Sequence, residues 1–194
     1  MQTQVAGNMY RSLVFIVMVT VLALSCKKED PSANMNIDGL DRPYCNDPDA
    51  SNYNQTFPGK PDNSICYFPT QPFKGSFLFK DSIYDADNKF RKAQELQITL
   101  SATSNTKMEM FGFCGGSEPL KITADRYYKA TMDSTIVLVN NIEYNLYGQY
   151  LCRTSDTISG YLLKDKVDSN KLTFFFTVAS DSGASYHKGT GIRQ

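Results

Sequence analysis

Leu96-Gln97-Ile98-Thr99-Leu100 and Lys107-Met108-Glu109-Met110-Phe111 alternate apolar and polar side chains. Successive side chains of a strand point to opposite faces, so this period of two predicts half-buried β-strands. Upstream, Phe77-Leu78-Phe79 with Ile83 and Tyr84 opens the strand-rich region. Downstream, Thr135-Ile136-Val137-Leu138-Val139 is more uniformly apolar, and Tyr144 to Tyr150, Ile158 to Leu163 and Leu172 to Val178 complete the set. Asn140-Asn141, Asp168-Ser169-Asn170 and Ser180-Asp181-Ser182-Gly183 stand where hairpin turns belong. Only Asn88 to Glu95 reads as an amphipathic helix. About eight to ten short strands predict an all-β domain, either an antiparallel β-barrel or a β-sandwich.

The 194 residues hold 12 Tyr and 12 Phe but no Trp. The expectation is that these aromatics fill a core, with Phe174-Phe175-Phe176 a strand buried on both faces rather than a ligand wall. Lys plus Arg and Asp plus Glu are both 20, giving a formal net charge of zero. No basic excess draws the chain to nucleic acid, and no acidic block forms a solvating tail.

Arg11 precedes an apolar run from Leu13 to Leu24. A positive start and a core of this length predict a signal peptide over residues 1–25, too short to span a bilayer. Met9 is an alternative start to Met1. Ala23-Leu24-Ser25-Cys26 resembles the lipobox of bacterial lipoproteins, with Ala23 where Leu is usual. The resemblance implies that Cys26 is lipidated and anchors the chain in a membrane. Lys27-Lys28-Glu29-Asp30 is similar to the charged signal that sends lipoproteins of one Gram-negative phylum to the cell surface. The implied location is the outer membrane, cell-surface exposed, with a periplasm-facing anchor as the alternative. Residues 26–43 read as a flexible tether.

The five cysteines divide as one plus two plus two. Lipidation consumes Cys26, and an oxidising envelope favours bridges between Cys45 and Cys66 and between Cys114 and Cys152. The segment 44–69 is too short to bury a core and needs such a staple, worth roughly 3 kcal/mol in the chain-entropy picture. Its Cys45, Asp47-Pro48, Ala50, Asn52-Tyr53-Asn54, Asp62-Asn63-Ser64 and Cys66 resemble a small module of surface and secreted proteins from the same bacterial group. Tyr53, Ile65, Tyr67 and Phe68 are candidates for an apolar patch against the next domain. Asp47, Asn52, Asn54 and Asp62 offer oxygen donors that suit calcium. The leading reading of these residues is structural Asx turns. No other cofactor is implied.

Residues 70–194 form the β-domain. Lys74-Gly75-Ser76-Phe77, Gly148-Gln149 with Cys152, Asp156 to Gly160, Lys171 to Phe174 and Gly189-Thr190-Gly191 resemble small calycin- or lipocalin-like domains of uncharacterised lipoproteins. The resemblance implies a barrel, although the lipocalin Gly-x-Trp has no counterpart here. His187 is the single histidine, expected as a solvent-facing strand residue, and no glycine loop cradles phosphate. Glu95, Glu109, Glu118 and Glu143 supply carboxylates for a glycan hydrolase, but no motif selects a pair. The reading is a non-enzymatic, lipid-anchored binding or interaction domain whose partner is a small ligand, a glycan or an envelope protein. A lipocalin-like carrier of a small apolar ligand is the alternative, and a carboxylate-based glycan hydrolase a more distant one.

Overall fold

The computed structural model describes residues 40–113, 115 and 118–194. The expected signal peptide, Cys26, the charged stretch after it and Cys114 lie outside these residues. Two short strands, β1 (Pro43–Tyr44) and β2 (Lys60–Pro61), run parallel in the cysteine-bracketed segment. The next five are β3 (Gly75–Tyr84), β4 (Phe90–Ala102), β5 (Lys107–Phe111), β6 (Leu120–Ala124) and β7 (Lys129–Met132). After an excursion of β8 (Ile136–Val139), β9 (Ile142–Asn145) and β10 (Gln149–Tyr150), the chain returns through β11 (Thr157–Lys164), β12 (Lys171–Ser180) and β13 (Gly183–Arg193).

Eight strands, β3 to β7 and β11 to β13, form one closed antiparallel barrel. Each pairs with its successor in the barrel, β7 meets β11 through Tyr161↔Thr131, and β13 returns to β3 through Gly191↔Phe79. Closure removes every long edge and decides between barrel and sandwich. β10 adds a short pairing to the start of β11.

Alternation sets the interior. Phe77, Phe79, Asp81 and Ile83 of β3 are buried, as are Ile98 and Leu100 of β4 and Met108 and Met110 of β5. Leu172, Phe174 and Phe176 do the same for β12, while Phe175 faces outward and packs its ring 5.2 Å from that of Tyr161. The run of three phenylalanines is therefore not buried on both faces. Phe174 stacks between Phe79 (4.7 Å) and Phe176 (5.2 Å). Two glycines of the last strand make room for this stack. A Cβ on Gly191 would lie 2.4 Å from the Phe79 ring, and one on Gly189 would lie 2.6 Å from Phe174 and 1.9 Å from the Lys80 carbonyl oxygen.

Three sequence expectations change. Asn88 to Glu95 is not a helix, because Phe90 onward is the first half of β4 and pairs with β3 from Tyr84↔Phe90 to Lys80↔Glu95. This half is polar because it projects past the core, and most of it is exposed. The apolar run at Thr135–Val139 does not enter the barrel. It forms the β8–β9 hairpin, turned by Asn140 and Asn141 at φ 53° and 64°, with Ile136, Leu138, Val139 and Ile142 more than half exposed. Tyr144 to Tyr150 likewise splits into the end of β9 and the start of β10.

The segment 44–69 is held by the Cys45–Cys66 disulfide. Tyr44, Cys45, Ala50 and Pro69 are its buried residues, with Phe57 edge-on to Tyr44 at 5.4 Å. Of the four residues expected to form an apolar patch, Tyr53, Ile65 and Tyr67 stay more than a third exposed and Phe68 is half-buried. Polar contacts join it to the barrel: Arg126 donates to the carbonyl of Pro48 at 3.4 Å, and Thr70, just after the segment, donates to that of Asn105. Cys152 is disulfide-bonded.

Candidate functional site: the barrel cavity

The interior is not filled to both ends. A cavity of about 160 Å³ lies at the end of the barrel reached by Asp81, Val178 and His187. Phe79, Leu96, Phe113, Leu151, Phe174 and Phe176 form most of its wall. An engineered cavity of about 150 Å³ lined by Leu, Ile and Phe stays dry and takes benzene. This volume therefore matches a single six-membered ring with a short substituent.

Three polar side chains enter this wall. Asp81, Gln94 and His187 come from adjacent strands, and register explains their meeting. Asp81 stands opposite Gln94 on one side and Gly189 on the other. Gly189 carries no side chain, so His187, two residues along β13, reaches Asp81 diagonally. His187 Nδ1 lies 2.8 Å from Asp81 Oδ2, and Gln94 Nε2 donates to the same oxygen at 3.0 Å. Ser185 Oγ lies 3.2 Å from His187 Nε2. With Nδ1 as donor to the carboxylate, Nε2 accepts from the serine hydroxyl.

Asp81 has a side chain 1% exposed, and its Oδ1 is buried without any hydrogen-bond partner. An unsatisfied buried acceptor costs about 1–3 kcal/mol, more when it is charged. This is the single buried side-chain polar atom among the described residues left in that state. His187, expected in solvent, instead has a side chain only 15% exposed, because its strand phase points it inward. Asp81 was legible in principle: it continues the Phe77-x-Phe79 inward phase ahead of Ile83, a charge where the pattern calls for an apolar residue.

The other candidates fall elsewhere. Glu95, Glu118 and Glu143 are exposed and Glu109 is half-buried between two inward methionines, so the cavity gathers none of these carboxylates. Asp47 Oδ1 accepts from the Asp49 amide at 2.9 Å, and Asp62 Oδ1 from the amide and hydroxyl of Ser64. Those two bonds hold the Asp62 carboxyl below its usual pKa. Asn52 donates to the Ile65 carbonyl and accepts from the Tyr67 amide, stitching the two sides of the disulfide loop. Asn54 takes φ 54°, the left-handed turn conformation that Asn tolerates. Asp47 and Asp62 thus serve turns, Asn52 ties the loop together, and Asn54 acts through its backbone. Among the described residues no group of three or more His, Cys, Asp or Glu side chains gathers as a metal site.

At the opposite end, Lys164 is buried and donates to the carbonyls of Asp168 (3.0 Å) and Lys171 (3.1 Å). Burial, with Arg193 nearby, holds its ammonium below the usual lysine pKa. Arg193 donates to the carbonyls of Lys74 and Pro72. Lys164 and Arg193 are thus both committed to backbone carbonyls.

No protein-family model and no curated protein sequence matches the chain. Among solved structures it is similar to a redesigned β-barrel (TM-score 0.39, 14% identity, 65% of this chain and 95% of that one). It is also similar to EF1p2_mFAP2b bound to DFHBI (0.41, 13%, 65% and 97%) and to a de novo designed fluorescence-activating β-barrel (0.35, 15%, 64% and 96%).

Proposed function

We propose that this chain is a lipid-anchored envelope lipoprotein whose barrel binds a small, largely apolar molecule without chemically changing it. The observation that carries the binding reading is the apolar cavity with one unpartnered buried carboxylate oxygen in its wall residue Asp81. Anchoring is supported by the apolar run before Cys26, the small Ser25 beside it and the charged Lys27-Lys28-Glu29-Asp30 after it. The same features support an outer-membrane location with the domain displayed at the cell surface. Disulfides at Cys45–Cys66 and Cys152 suit an oxidising compartment. No cofactor is assigned.

A second reading has one specific observation in its favour. Ser185, His187 and Asp81 are linked in the order that activates a serine nucleophile. Against it, Ser185 lies within a regular strand pairing, opposite Val178, rather than on a sharp turn beside converging amides. Saturable binding of toluene, recovered unchanged, supports the carrier reading. Covalent capture of a fluorophosphonate at Ser185 would replace it with the hydrolase. Palmitate labelling that persists in Cys26→Ala would sink the anchoring claim.

A further inference from the structure

We infer that the ligand of this cavity is a single-ring apolar molecule bearing one hydrogen-bond donor head, an ammonium or a hydroxyl, which Asp81 Oδ1 accepts. The inference rests on the binding reading above and deepens it. Three observations converge. The volume, about 160 Å³, limits the body to one ring. The apolar surface left partly uncovered in its wall, from Leu96, Phe113, Leu151 and Val178, favours an apolar body. The polar group is an acceptor: Oδ2 is occupied by His187 and Gln94, while Oδ1 is buried with nothing donating to it.

A carboxylate accepts and does not donate, so the group that completes it must bring an N–H or O–H. A ligand with no donor would leave Oδ1 as it is and gain only apolar contact. A carboxylate ligand would set a second negative group beside Asp81 and be rejected. Water would satisfy Oδ1 too, and its displacement then requires a head that replaces its bond. The predicted order of affinity is therefore donor-headed ring, then bare ring, then acid.

The test uses the full-length exported protein in nanodiscs, titrated calorimetrically with benzylamine, benzyl alcohol, toluene and benzoate, with empty nanodiscs as the blank. The expected result is at least about tenfold tighter binding of benzylamine or benzyl alcohol than of toluene, the worth of one hydrogen bond to a charged group. The ratio of amine to alcohol then tells an ammonium from a neutral donor. Asp81→Leu should bring the donor-headed probes to the level of toluene while toluene still binds. Equal or tighter binding of toluene would overturn the donor inference and leave the binding barrel standing. Benzoate as the tightest probe would overturn it in the same way. Saturable binding of none of the four would overturn both. The wild-type ranking decides the matter even if Asp81→Leu fails to fold.

Discussion

The two ends of this barrel handle buried charge in opposite ways. At the end beneath the disulfide-held segment, Lys164 and Arg193 each donate to two backbone carbonyls. Phe73, wholly buried two residues before β3, helps complete the core there. At the far end Asp81 keeps one carboxylate oxygen without a partner, beside a cavity. The first arrangement is what stability alone would select, since each buried polar group is satisfied. The second costs free energy in the ligand-free protein, and such a cost is characteristic of a site prepared for something else.

Mutation should separate the ends. Phe73→Ala, at the end beneath the disulfide-held segment, is expected to lose about 3–5 kcal/mol in urea unfolding, because it removes a wholly buried ring from the core. Lys164→Met should cost about 1–3 kcal/mol by the same measurement, since it removes a charged donor from the carbonyls of Asp168 and Lys171 and leaves them only their backbone amides. Asp81→Asn, at the open end, should change stability by less than about 1 kcal/mol, because Oδ1 has no native bond to lose. If Asp81→Asn proves as costly as Lys164→Met, the contrast between the ends fails.

Acid should sharpen the contrast further. Asp62 accepts the hydroxyl and amide of Ser64, and Asp85 and Asp165 accept backbone amides, all in turns, which lowers their pKa in the folded state. Their unfolded forms bind more protons in the window between the folded and the usual carboxylate values. Stability from these groups is thus present above that window and lost as pH falls through the folded values. Lys164 has the same sign in alkali: burial lowers its folded pKa, so the unfolded chain binds more protons there and stability from this group rises as pH climbs from the folded toward the usual lysine value. Thermal melts followed from pH 7 to 2 should fall most steeply below about pH 4. The smallest effect is expected at Leu138→Ser in the β8–β9 hairpin, where 69% exposure predicts a change within about 0.5 kcal/mol.

Much of the fold was legible because strand alternation is local and repetitive. Leu96 to Leu100 and Lys107 to Phe111 fall in β4 and β5, and the Asn140-Asn141 turn forms where its residues placed it. The helical reading of Asn88 to Glu95 failed because pairing with β3 overrides the helical spacing of a mostly polar, mostly exposed stretch. Uniform apolarity at Thr135 to Val139 misled for a related reason: it reports hydrophobicity, not whether anything lies above it. The site was less legible. His187 and Asp81 are 106 residues apart, and only closure of the last strand onto the first brings them together. The strand phase that turns both inward was readable, but the side-chain-free Gly189 between them gave no sign in sequence that the pair would meet.

The central claim is that the far end of the barrel is built to hold a small molecule. Native mass spectrometry of the exported protein tests it most directly, with a denaturing spectrum of the same sample. The account predicts an added mass of single-ring size that vanishes on denaturation, or one restored to an emptied protein by benzylamine or benzyl alcohol. A mass equal to the bare chain that none of the ring probes alters would contradict it.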